Sequence, residues 1–111
     1  MSAVSTHVLD TVRGEPAGGI VVRLERAGEG ELGRAVTDED GRVSDFGVAG
    51  LPAGTYRLVF ETGSYLSGPG GQAGTPFFPE VVITFTADGL RPRYHVPLLL
   101  SPFSYSTYRG S

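Results

Sequence analysis

The chain predicts an all-β protein, a sandwich or barrel, on three observations. Seventeen Gly and eight Pro punctuate its 111 residues. Between them lie short runs rich in Val, Ile, Leu, Phe, Tyr and Thr, residue types that suit a pleated surface. Within those runs apolar and polar side chains alternate with a period of two, the spacing of a half-buried strand. Several short strands with turn signals between them are the pattern of a sandwich or barrel.

The elements follow in chain order. "VSTHVLDT" reads as the first strand and "RGEPAGG" as a turn. "IVVRLER" is the second strand, with Ile20, Val22 and Leu24 on one face and Val21, Arg23 and Glu25 on the other. "AGEGELG" breaks it, "RAVT" is a short strand, and "DEDG" is a turn of residues that tolerate turn geometry. "GLPAGTY" turns into a strand in which Tyr56, Leu58 and Phe60 alternate with Thr55, Arg57, Val59 and Glu61. Residues 63–79, "GSYLSGPGGQAGTPFFP", carry five Gly and three Pro, which predicts mostly loop with room for a single helical turn near residues 64–67. "EVVITFTA" alternates Val81, Ile83 and Phe85 against Val82, Thr84 and Thr86. Asp88-Gly89 is then a strong short-range hairpin signal. "RPRYHVPLLL" and "FSYSTYRGS" complete the set of about eight strands.

This length suits one domain over residues 1–111, large enough to hold a core without staples. Cysteine is absent, which excludes disulfides, thiol catalysis and thiolate metal sites. No apolar run approaches the roughly 20 residues of a membrane span. "MSAVSTHVLD" lacks the basic and apolar segments of a signal peptide, and the last residues are not an S-K-L address, so a cytoplasmic protein is expected. A net charge of −3 argues against a nucleic-acid partner. All nine basic residues are Arg, a bias that a GC-rich genome explains without any function.

Histidine is the side chain best suited to move protons near neutral pH, and the chain has two, His7 and His95. His7 shares a face with Ser5 and Leu9, but the pattern does not decide which face that is. Tyr94, Val96 and Leu98 form a core-like set, which puts Arg93, His95, Pro97 and Leu99 on an outer face. An outward histidine is most often only solvated. Two histidines without H-x-H or H-E-x-x-H spacing make a poor zinc site, so no metal is expected. Arg42 follows a turn and is, by itself, a solvated arginine. Tyr108 and Arg109 lie in the last strand, where charge blunts an edge. Still, a frayed tail usually has few aromatics, and this one carries Phe103, Tyr105 and Tyr108.

Five stretches, in order, lift these signals. "STHVLDTVRGEPAGGIVVRLER", "TDEDGR", "GLPAGTYRLVFETGSY", "FFPEVVITF" and "YHVPLLLSPFSYSTYRGS" resemble the 5-hydroxyisourate hydrolases of the transthyretin-like family. The match covers residues 5–111. The terminal Tyr-Arg-Gly-Ser is its most specific piece, because it separates the hydrolases from transthyretin, the hormone carrier of the same fold. The resemblance implies a sandwich of two four-stranded sheets. Two subunits would pair edge to edge, and two pairs would stack into a homotetramer with active sites in the channel between them. His7 matches the family's N-terminal histidine, Arg42 its turn arginine, His95 its later histidine, and residues 108–111 its terminal tetrapeptide. Residues 66–76, "LSGPGGQAGTP", depart from the family, which puts its usual short helix in question.

The reaction so implied is hydrolysis of 5-hydroxyisourate, the unstable first product of urate oxidation, to 2-oxo-4-hydroxy-4-carboxy-5-ureidoimidazoline. Water attacks a ring carbonyl. A histidine can take its proton. Arg42 can stabilise charge on the carbonyl oxygen, and its cation helps keep a histidine neutral. Tyr108 and Arg109 can bind the ring, and Ser111, with hydroxyl and carboxylate, can orient a histidine or the water. No cofactor is required. The alternatives are a non-catalytic small-ligand carrier of the transthyretin type and a structural β-sandwich module of a longer secreted chain.

Overall fold

The computed structural model describes residues 3–68 and 74–111. The elements are β1 (Val4–Asp10), β2 (Glu15–Pro16), β3 (Val21–Arg26), β4 (Gly30–Val36), β5 (Arg42–Val43), β6 (Gly54–Phe60), α1 (Gly63–Leu66), β7 (Val81–Ala87), β8 (Tyr94–Ser101) and β9 (Ser104–Thr107). They form two sheets. One has the order β4-β3-β6-β7; the other has the order β2-β1-β8-β9, with β5 also paired to β1. The expected sandwich is therefore present, one sheet having four strands and the other gaining the two-residue β2 and β5. Pairing is antiparallel throughout except for β1 and β8, which run parallel in register from Val4↔Tyr94 to Asp10↔Leu100.

Alternation explains how the sheets stack. In β1 Val4, Thr6, Val8 and Asp10 point inward, while Ser5, His7 and Leu9 point outward. Inward Val96, Leu98 and Leu100 of β8 join them. Opposite lie Val22 and Leu24 of β3, Tyr56, Leu58 and Phe60 of β6, and Val81 and Ile83 of β7. Each fully buried Leu or Phe of such a core stabilises it by about 1.5–3 kcal/mol. The inward polar groups are bonded: Thr6 Oγ1 donates to the Val96 carbonyl at 2.6 Å, and Thr37 Oγ1 donates to the Ala17 carbonyl at 2.9 Å.

Residues 63–66 form one helical turn, and its Tyr65 and Leu66 are buried. Residues 69–73, part of the expected loop, lie outside the described residues. The Tyr65 hydroxyl donates to Asp10 Oδ2 at 2.7 Å, while Asp10 Oδ1 accepts the N–H groups of Val12 and Arg13, each at 3.0 Å. Burial alone would raise the Asp10 carboxyl. The Tyr65 hydroxyl and the two backbone N–H groups outweigh it and hold Asp10 below the ordinary carboxylate range. Burial, with Asp10 as acceptor, pushes the Tyr65 phenol well up. The helical turn is thereby tied to the end of β1, the strand that carries His7.

Two expectations are corrected. The stretch "AGEGELG" breaks the chain only at its start, since β4 already runs from Gly30. A Cβ at Gly33 would run into the Phe46 carbonyl, so this glycine marks a close backbone approach rather than a break. Asp88-Gly89 is a turn but not a hairpin, because β7 and β8 lie in different sheets. Asp88 Oδ1 accepts the Leu90 N–H and the Tyr94 hydroxyl, each at 2.9 Å, as the chain crosses over. Long-range pairing of β8 with β1 outweighs the local turn preference.

Candidate active site

The parallel β1–β8 pair places Ser5 beside His95 on the outer face of the sheet. Residues 37–41 bring Arg42 to the same face. Asp38 Oδ1 accepts the N–H groups of Asp40, at 2.9 Å, and Arg42, at 3.0 Å. Gly41 closes the turn at φ 74°, where a side chain would be strained and its Cβ would strike the Val8 carbonyl. The Val8 N–H donates to the Gly41 carbonyl at 2.7 Å, pinning the turn to β1. Arg42 consequently sits directly across from His7 in the β1–β5 register.

The two histidines are held differently. Nε2 of His7 lies 2.9 Å from the Asp40 carbonyl. A carbonyl only accepts, so neutral His7 carries its proton on Nε2. Nδ1 of His95 lies 2.8 Å from Ser5 Oγ. Burial, the Arg42 guanidinium, His7 and Arg93 lower the His95 pKa, against a smaller opposing effect of the Ser5 backbone. His95 is accordingly kept neutral, the form in which it can accept a proton.

The terminal segment completes the site. After β9 the chain stays beside β8, and the Gly110 N–H donates to the His95 carbonyl at 2.8 Å. A Cβ on Gly110 would stand 2.5 Å from His95 Cδ2, so a larger residue would displace the ring. A cavity of about 320 Å³ opens here, lined by His95, Arg42, Ser111, Ser5, Arg91 and Arg93 among others. Thus His95, Arg42 and Ser111 gather around one cavity, with His7 beside Arg42. Tyr108 and Arg109 face elsewhere in this single chain: they line a second depression of about 230 Å³ along β7. Among the described residues no three His, Asp or Glu side chains are grouped so that they could hold a metal ion.

Ser5, Arg91, Arg93 and Gly110 are site residues to which the sequence reading gave no role. Arg91 lies ahead of β8 beyond the bend at Pro92, while Arg93 shares the alternation of His95 in the sequence, a signal that was available. Ser5 has none, because its partner is 90 residues away. Residues 4–110 of the chain match one family model, described as the HIUase/Transthyretin family.

The chain belongs to the HIUase/Transthyretin family.

Within that family, it is 43% identical over 116 residues to a 5-hydroxyisourate hydrolase of Caulobacter vibrioides, covering all of both chains. Among solved structures, a Klebsiella pneumoniae 5-hydroxyisourate hydrolase matches with a TM-score of 0.85 and 41% identity over the full length of both chains. A transthyretin from Sparus aurata matches with a TM-score of 0.86 and 31% identity, covering 99% of this chain and 97% of its own. The family's fold is thus shared by a named hydrolase and a named transthyretin alike, and the side chains of the site must distinguish them.

Proposed function

We propose that this chain, as one transthyretin-like domain, hydrolyses 5-hydroxyisourate in the cytoplasm as a step of urate degradation. The observation that carries the reading is the gathering of His95, Arg42 and Ser111 around one cavity, with His7 alongside. Relatives named 5-hydroxyisourate hydrolase, matched over the full length, support it.

Water, its proton taken by a histidine, adds to the ring carbonyl next to the bond that breaks. The carbonyl oxygen becomes an oxyanion, and Arg42 stabilises it. The oxyanion then collapses. The carbon–nitrogen bond breaks, and the imidazolium returns its proton to the departing nitrogen. The new carboxylic acid ionises, giving the ureidoimidazoline carboxylate. Arg91 and Arg93 add positive charge where that carboxylate forms. Ser111 orients a histidine or the water at the cavity wall. Tyr108 and Arg109 bind substrate in this reading once a neighbouring subunit is present.

A homotetramer belongs to the same reading. β7 and β9 are both edge strands, with Val82 exposed on β7 and Tyr105 exposed on β9, so edge-to-edge pairing has a surface to use. Stacking of two such pairs would wall off the outer-face cavity from water.

The test generates 5-hydroxyisourate from urate with urate oxidase and follows its absorbance decay. Added protein should accelerate the decay. His7→Ala and His95→Ala should each slow turnover by about 10²–10⁴-fold, as loss of a general base does, with circular dichroism unchanged. Near-normal turnover in either variant would remove that histidine from the mechanism.

A further inference from the structure

The proposed reaction leaves open which ring atom receives the proton, and the contacts around His95 bear on it. Two sides of the ring are held and one is open. Nδ1 is engaged by Ser5 Oγ at 2.8 Å. The Cδ2 edge is covered by Gly110, whose N–H also holds the His95 carbonyl at 2.8 Å. Nε2 has no hydrogen-bond partner among the described residues, and His95 lines the cavity. We propose that Ser5 is a positioning residue: its hydroxyl oxygen accepts the Nδ1 proton of His95 and holds the ring in the tautomer whose bare Nε2 can take a proton in the cavity.

A serine hydroxyl can donate or accept, so the direction of this bond needs an argument. Ser5 Oγ has no other hydrogen-bond partner among the described residues, so its lone pairs are free to accept from Nδ1. A proton on Nδ1 is then held by the Ser5 hydroxyl oxygen, and Nε2 is left bare toward the cavity. With the proton on Nε2 instead, the ring would meet the cavity with an N–H and could not take a proton there. The two histidines then divide the work. His7 donates from Nε2 to the Asp40 carbonyl and is anchored as a donor, while His95 presents a lone pair. An orienting partner on the far nitrogen of a catalytic histidine is a recurrent device, because it sets tautomer and ring angle together.

The inference rests on the proposed hydrolysis for its consequence in rate, but not for the tautomer itself, so two measurements separate the two. The first is 15N NMR of the imidazole rings in the full chain at about pH 8, above the ordinary histidine range. His95 should show a protonated Nδ1 and a bare Nε2 in the native protein and in Ser5→Thr, which keeps the hydroxyl. In Ser5→Ala it should move toward the tautomer mixture of free imidazole. The second is steady-state kinetics on 5-hydroxyisourate. Ser5→Ala should lower kcat about tenfold, the worth of one ordinary hydrogen bond, with KM little changed, and Ser5→Thr should restore it. A native His95 protonated on Nε2, or a Ser5→Ala protein with an unaltered tautomer, overturns the proposal. The native spectrum alone can do so should Ser5→Ala fail to fold. If the native protein leaves 5-hydroxyisourate untouched, the proposed function falls while the spectrum still decides the role of Ser5.

Discussion

Arg42 does two jobs that substitution can separate. Its positive charge is one reason, after burial, that the His95 pKa lies below the ordinary value. Its fork is the reason it can hold two oxygens at once. A depressed pKa keeps His95 neutral, and so basic, down to lower pH. The acid limb of kcat/KM should therefore fall below about pH 6.5, the unperturbed histidine value. Arg42→Gln removes the cation, so the limb should move upward and kcat should drop. Arg42→Lys keeps the charge, so the limb should stay nearly where it is, while the drop in kcat persists. A pH–rate profile of the three proteins decides the matter. An unmoved limb in Arg42→Gln would mean that the arginine does not act on His95. None of this was readable from "DEDGR" alone. The turn was legible because Asp and Gly tolerate its geometry, but a turn arginine is usually just solvated. The register that sets Arg42 opposite His7 is a tertiary fact.

The segment after β9 contributes little to stability but bears directly on the site. Tyr108 is 60% exposed, so residues 108–111 bury little apolar area. The Gly110–His95 bridge is one backbone hydrogen bond, worth roughly 1 kcal/mol net. Deleting residues 108–111 should consequently lower stability by only about that much, yet abolish turnover, because Gly110 backs the His95 ring and Ser111 lines the cavity. Residues added after Ser111 would enter the same space and should also impair turnover. A tag ahead of Met1 should do so less. Thermal melts and the decay assay on the truncated, C-tagged and N-tagged proteins test this. A truncated protein that is folded and fully active would reduce the segment to an edge strand. The role of Gly110 could not be seen in sequence, since a glycine near a terminus has many uses and only the approach to Cδ2 selects this one.

For the whole molecule, the question is what covers the edges. Phe77, Phe78, Phe103 and Tyr105 form a run of ring contacts with centroids 4.9–6.3 Å apart, and Phe77 and Phe103 are 65% and 71% exposed. Such a patch beside the edge strand β9 suits association, and a charge within it opposes association. Light scattering should give four chains for the native protein and a smaller species for Phe103→Asp. An active native monomer would contradict the tetramer.

The alternation of Val, Ile, Leu, Phe and Tyr sufficed to predict the β class, the inward Tyr94, Val96 and Leu98 and the outward His95, because side-chain direction in a strand is a local property with period two, whereas the inward face of β1 was left open. The resemblance of its motifs singled out His7, Arg42, His95 and residues 108–111, but motifs carry identity rather than contact. Which strands pair is different. Asp88-Gly89 looks like a hairpin and is a crossover, and Ser5 looks like an ordinary strand serine and touches His95 across 90 residues. Pairing over such separations is selected by the burial of both sheets at once, a property of the assembled sandwich. The parallel β1–β8 register, and with it the company His95 keeps, is decided only there.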